Sequence, residues 1–138
     1  MARTEVSIEI DRPPAEVFPW LLEPEKRLQW VSGLVSSEPL DEDSYRDVVQ
    51  EYGQRLEATA TVTRDEPPHA LEVAMTGRGF EARAEHRLAE HDGRTRLTSS
   101  FDVKLGGLGR LAGGIVGRQT QRSVERSLAR LKELLETT

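Results

Sequence analysis

From Thr4 to Ile10 the chain alternates, with Val6, Ile8 and Ile10 on one side and Glu5, Ser7 and Glu9 on the other. A period of two marks a strand with one buried and one wet face. The pattern then changes to helical spacing. Asp11 is placed to cap a helix whose first turn takes Pro13 or Pro14. Val17, Phe18, Leu21 and Leu22 make its apolar side, and Pro19 falls within the first turns, where a missing N–H is best tolerated. Pro24 ends it. A second short helix, over about residues 25–31, carries Leu28 and Trp30 before Gly33 breaks it.

Six further strand-like runs follow. Leu34 to Leu40 and Tyr45 to Tyr52 are separated by the polar turn Asp41-Glu42-Asp43, and Gly53 marks the next turn. Gln54 to Arg64 alternates cleanly, with Leu56, Ala58, Ala60 and Val62 opposite Arg55, Glu57, Thr59, Thr61 and Thr63. Pro67-Pro68 stops it. Ala70 to Thr76 turns Leu71, Val73 and Met75 inward. Phe80 to Leu88 places Phe80, Ala82, Ala84, His86 and Leu88 on one face, and Thr95 to Leu105 does the same with Leu97, Ser99, Phe101, Val103 and Leu105. Short turns between successive strands predict an antiparallel sheet.

A single sheet with one wet face must cover the other. The cover is a long amphipathic helix, from about Leu108 to Glu136, with Leu111, Ile115, Val124, Leu128, Leu131 and Leu135 near one side. The fold class is therefore α+β: about seven antiparallel strands curved around a long C-terminal helix, with two short helices between the first two strands. Gly106, Gly107, Gly109, Gly113, Gly114 and Gly117 cluster at the start of that helix. They fit a gate over a pocket, a close approach of helix to sheet, or a helix that starts later than Leu108, and these readings stand at this point.

At 138 residues the chain predicts one domain, spanning 1–138, with 36% hydrophobic and 31% charged residues. No apolar run is long enough to span a membrane, and no signal-like apolar block opens the chain, so a cytoplasmic location and no stable membrane insertion are expected. With no Cys, disulfides, thiolate metal ligands and a Cys nucleophile are excluded. A net charge of −5 gives no basic footprint for nucleic acid. Arg118, Arg122, Arg126 and Arg130 recur every fourth residue of the last helix, which reads as a solvated face rather than a phosphate site.

Candidate chemistry is sparse. His86 lies on an apolar strand face and is the one candidate catalytic residue, as a general base or a ligand-orienting group. The competing reading is a core histidine satisfied by a hydroxyl such as that of Ser99. Asp102 and Glu85 have the wrong parity to assist it. His69, His86 and His91 have no metal-ligand spacing, so neither a metal site nor a cofactor is expected. No nucleophile elbow, phosphate loop or dinucleotide fingerprint occurs.

The order strand, two short helices, six strands, long helix resembles the START-like (Bet v 1-like) superfamily, and within it the bacterial polyketide cyclase/dehydrase (SRPBCC) family. The resemblance is carried by Arg12-Pro13-Pro14-Ala15-Glu16-Val17-Phe18, by Trp30, by Gly93-Arg94-Thr95-Arg96-Leu97-Thr98 at the start of the last strand, and by Leu128-Ala129-Arg130-Leu131-Lys132-Glu133-Leu134-Leu135-Glu136. It implies a helix-grip fold with a cavity between curved sheet and long helix. The residues allow one, because Ala58, Ala60, Ala82 and Ala84 are small on inward faces. Parity then predicts a ligand-binding wall of Ala58, Met75, Phe80, Ala82, His86, Phe101 and Ile115, with Trp30 near an opening. The expected partner is a small hydrophobic molecule: a lipid, a polyketide or an aromatic. Alternatives are a cyclase or dehydratase using His86, and a protein interaction module built on the arginine stripe.

Overall fold

The structure, a computed structural model, describes residues 2–106 and 113–137; for residues 2 and 113–116 the description is of the backbone alone. Its elements are β1 (Ala2–Ile10), α1 (Pro14–Leu22), α2 (Pro24–Trp30), β2 (Leu34–Pro39), β3 (Ser44–Glu51), β4 (Gln54–Glu66), β5 (Ala70–Gly77), β6 (Phe80–His91), β7 (Arg94–Leu105) and α3 (Gly113–Glu136). The seven strands form one curved antiparallel sheet in the order β1-β7-β6-β5-β4-β3-β2. Each strand from β2 to β7 pairs with its sequence neighbour. β1 alone crosses over, closing against β7 with Ala2 opposite Val103 and Ile10 opposite Thr95.

Two tight turns set much of the register. Tyr52 and Gly53 join β3 to β4 with φ of 54° and 73°, and Asp92 and Gly93 join β6 to β7 with φ of 52° and 77°. Two consecutive left-handed residues are what a type I′ hairpin requires, and its twist matches that of the strands. Glu51 therefore faces Gln54, and Asp47 faces Ala58. Gly77 meets a different demand. A Cβ there would lie 2.2 Å from the Phe80 ring and 2.7 Å from the Glu57 carbonyl oxygen, so only glycine fits.

The helix starts differ from the sequence expectation at one point. Asp11 does not cap α1. Pro13 holds the N-cap position, because Pro14 is the first helical residue, and the Pro13 carbonyl accepts from the Glu16 and Val17 amides. The Asp11 amide instead donates to Glu136 Oε2 at 2.8 Å, tying the end of β1 to the end of α3. Pro24 both follows α1 and opens α2 at its first position.

The core gathers at one end. Ile10, Val17, Phe18, Leu21, Trp30, Leu71, Leu88 and Leu97 pack with Val124, Leu128, Leu131 and Leu135 of α3. These four helix residues recur every three or four positions and so form one stripe. The first half of α3 has no such stripe among its described side chains. Space is left there between helix and sheet. Leu108, Leu111 and Gly107 to Gly109 lie outside the described residues.

Candidate functional site

That space is a cavity of about 440 Å³, within the range of small-molecule pockets. Its floor is the inward rows of the central strands. Val73 and Met75 come from β5, Phe80, Ala82, Ala84 and His86 from β6, and Ser99, Phe101, Val103 and Leu105 from β7. The helical pair contributes Leu21, Arg27 and Trp30; α3 contributes Gln119, Thr120, Ser123, Val124, Ser127 and Leu128. The wall is thus mostly apolar, with a few polar groups at fixed positions.

His86 is a buried titratable group, with 7% of its surface exposed. It sits directly opposite Ser99, whose Oγ lies 2.7 Å from its Nδ1. The Phe101 ring meets the imidazole edge-on at 6.0 Å between centroids. Burial, and secondly the positive charge of Arg27, push the His86 pKa down from 6.5 to about 4. The ring is neutral at pH 7.

A second polar feature is a buried ion pair. Arg27 Nη2 reaches Asp47 Oδ2 at 2.7 Å and Nη1 reaches Oδ1 at 3.3 Å. Ser37 Oγ donates to Asp47 Oδ1 at 2.6 Å and accepts from Arg27 Nη1 at 3.1 Å. Asp47 is 4% exposed, so this pair is held by fork-to-fork geometry where neither charge has much water.

A third cluster lies at the rim. Glu51 accepts hydrogen bonds from Ser32 Oγ, from Ser123 Oγ and, at 3.1 Å, from Arg126 Nη2. Arg126 also donates to Tyr52 Oη at 3.0 Å, and its guanidinium lies 5.5 Å from the Tyr52 ring centroid. Ser127 Oγ accepts from the Ser32 amide at 2.8 Å. The β3–β4 turn and the residues after α2 are in this way clasped to α3. Tyr52 and Leu56 border the cavity while remaining 43% and 44% exposed, which marks its open side.

A family model described as "Polyketide cyclase / dehydrase and lipid transport" matches residues 1–136. The chain belongs to this family. Solved structures similar to this polyketide cyclase/dehydrase and lipid transport family member include a conserved protein from Geobacillus kaustophilus, 21% identical with a TM-score of 0.87, covering 98% of this chain and 95% of that one. A START superfamily protein from Mycobacterium smegmatis is 14% identical with a TM-score of 0.87 and 99% coverage of both chains. The Zhui aromatase/cyclase from Streptomyces sp. R1128 is 16% identical with a TM-score of 0.84, covering 97% of this chain and 93% of that one. At these identities the likeness is one of fold. None of the curated proteins matches the chain.

The structure brings Trp30, Ala58, Met75, Phe80, Ala82, His86 and Phe101 around one cavity. Ile115 falls in the first turn of α3, and its side chain lies outside the described residues. Trp30 is 7% exposed and its Nε1 donates to the Trp20 carbonyl at 2.7 Å, so it is part of the core as well as of the wall, rather than an edge residue. Ala60 is 1% exposed and is absent from the wall. One surface reading also changes. Arg126 is not simply solvated, because Glu51 and Tyr52 engage it. Arg78 borders the cavity. Sequence reasoning missed Arg27, Asp47 and Glu51. Among the described residues no cluster of three His, Asp or Glu is arranged to hold a metal, and no helix is long and apolar enough to cross a membrane.

Proposed function

We propose that this family member is a cytosolic binder or carrier of a small hydrophobic molecule, held between the sheet and α3. The observation that carries this reading is the cavity of about 440 Å³ with an apolar wall and its buried charges already paired. Such a wall gains free energy from any apolar surface it takes from water, about 25 cal/mol per Å². Its few polar groups fix orientation rather than supply most of the affinity. The cyclase or dehydratase alternative has one observation in its favour, a titratable His86 on the wall. It lacks an acid partner: the carboxylates of Glu85 and Asp102 pair instead with Arg87 and Arg3.

The test is native mass spectrometry of protein purified without added ligand, followed by titration with a fluorescent apolar dye. A co-purifying apolar molecule, or saturable dye binding displaced by fatty acids or polycyclic aromatics, is expected. A chain that carries nothing and binds no dye would sink the carrier reading.

A further inference from the structure

We infer that His86 is held as the tautomer with its proton on Nε2, and that it offers this N–H to the cavity as the donor for an acceptor oxygen on an otherwise apolar ligand. The inference rests on the ligand-binding reading above and narrows its ligand class.

The argument begins at Ser99. Its hydroxyl is fully buried, and its partner among the described residues is His86 Nδ1 at 2.7 Å. A hydroxyl carries one hydrogen, and leaving it unpaired in the interior costs about as much as a lost hydrogen bond. If Nδ1 carried the ring proton, Ser99 Oγ would accept it and its own hydrogen would point at nothing. If Nδ1 is bare, the Ser99 O–H donates to it and both groups are satisfied. The neutral ring must then carry its proton on Nε2. Burial and the Arg27 charge keep the ring neutral, so the second proton does not bind at ordinary pH.

Nε2 has no hydrogen-bond partner among the described residues, yet no buried side-chain nitrogen or oxygen sealed from solvent is left unpaired. Nε2 must therefore keep accessible surface, and His86 lines the cavity. The other buried polar side chains of the wall are already committed. Asp47 takes Arg27 and Ser37, while Ser127 Oγ donates to the Ser123 carbonyl and accepts from the Ser32 amide. Among the described residues, one buried donor thus remains in an apolar chamber. The ligand chemistry that completes it is a carbonyl, quinone or ether oxygen on a hydrocarbon or aromatic frame. The same geometry makes His86 a hydrogen-bond donor, not a base, toward anything in the cavity.

Two measurements test this. Long-range proton–nitrogen correlation spectra of the nitrogen-15-labelled protein report which ring nitrogen is protonated. A proton on Nε2 is expected, and a proton on Nδ1 would overturn the inference. The second uses fluorenone and fluorene, which share a skeleton and differ in one carbonyl. Both should bind. The His86→Phe/Ser99→Ala double variant should weaken fluorenone roughly fivefold to tenfold relative to fluorene, the worth of one hydrogen bond. Removing both buried partners together avoids leaving either unpaired, so the variant should fold. An unchanged fluorenone-to-fluorene ratio, with both compounds still bound, overturns the donor role and leaves the carrier reading standing. Failure of wild-type protein to bind either compound overturns the carrier reading, and the donor role with it.

Discussion

A histidine with a pKa of about 4 when folded and 6.5 when unfolded binds fewer protons in the folded state between those two values. Stability therefore rises with pH across that window and falls as pH drops through it. For His86 the loss should begin near pH 6.5 and reach about 3 kcal/mol by pH 4. Urea melts across this range should show wild-type protein losing about 3 kcal/mol more than the His86→Phe/Ser99→Ala variant, so that the gap between the two changes most at the acid end; equal slopes in both would refute this origin. The ion pair gives a second residue-scale expectation. Asp47→Ala strands the Arg27 charge and should cost about 3–5 kcal/mol, whereas Arg27→Met with Asp47→Leu should cost much less, as read from urea midpoints. His86 and its Ser99 partner were legible from strand parity alone. Asp47 was not, although the clue was present: a two-residue turn at Tyr52-Gly53 fixes Asp47 opposite Ala58. Gly53 marked the turn, but a tyrosine at φ 54° hid its two-residue form, since bulky residues seldom take left-handed backbone.

At the scale of elements, α3 works as two halves. Leu131 of α3 is fully buried in the core, while Leu56 of β4 stands at the cavity rim 44% exposed. Leu131→Ala should cost about 2–5 kcal/mol and Leu56→Ala less than about 1 kcal/mol, measured as shifts in urea midpoint at constant m. Similar losses at both positions would contradict the contrast between a filled core and an open rim. The strands and the C-terminal half of α3 were legible because their periods of two and of three to four are long and uninterrupted. Helix starts were harder. Asp11 has the right chemistry for a cap, but the Pro13-Pro14 pair moves the helix start two residues onward and leaves Asp11 to Glu136 and Arg94.

At the scale of the whole molecule, the cavity lies where the sheet curves around α3 ahead of the packing stripe that, among the described side chains, begins at Val124. Small residues on the inward rows announced that space: Ala58, Ala82 and Ala84 all line it. Its rim was not legible, because Glu51, Tyr52 and Arg126 come from a turn and a helix face that meet only in three dimensions. Ala82 offers the decisive test of whether the space is used. It lies between Met75 and Val103 on the central strands, with its methyl toward the cavity. Ala82→Phe should fill part of the cavity and weaken dye and fluorenone binding by tenfold or more, while the urea midpoint moves little. Were the site closely packed, the same ring would have no room, and the change would cost about 1–3 kcal/mol in strain. Binding lost with stability kept identifies a working cavity floored by β5, β6 and β7. Stability lost, or binding kept at full strength, would mean that apolar ligands sit elsewhere or that the chamber closes in solution.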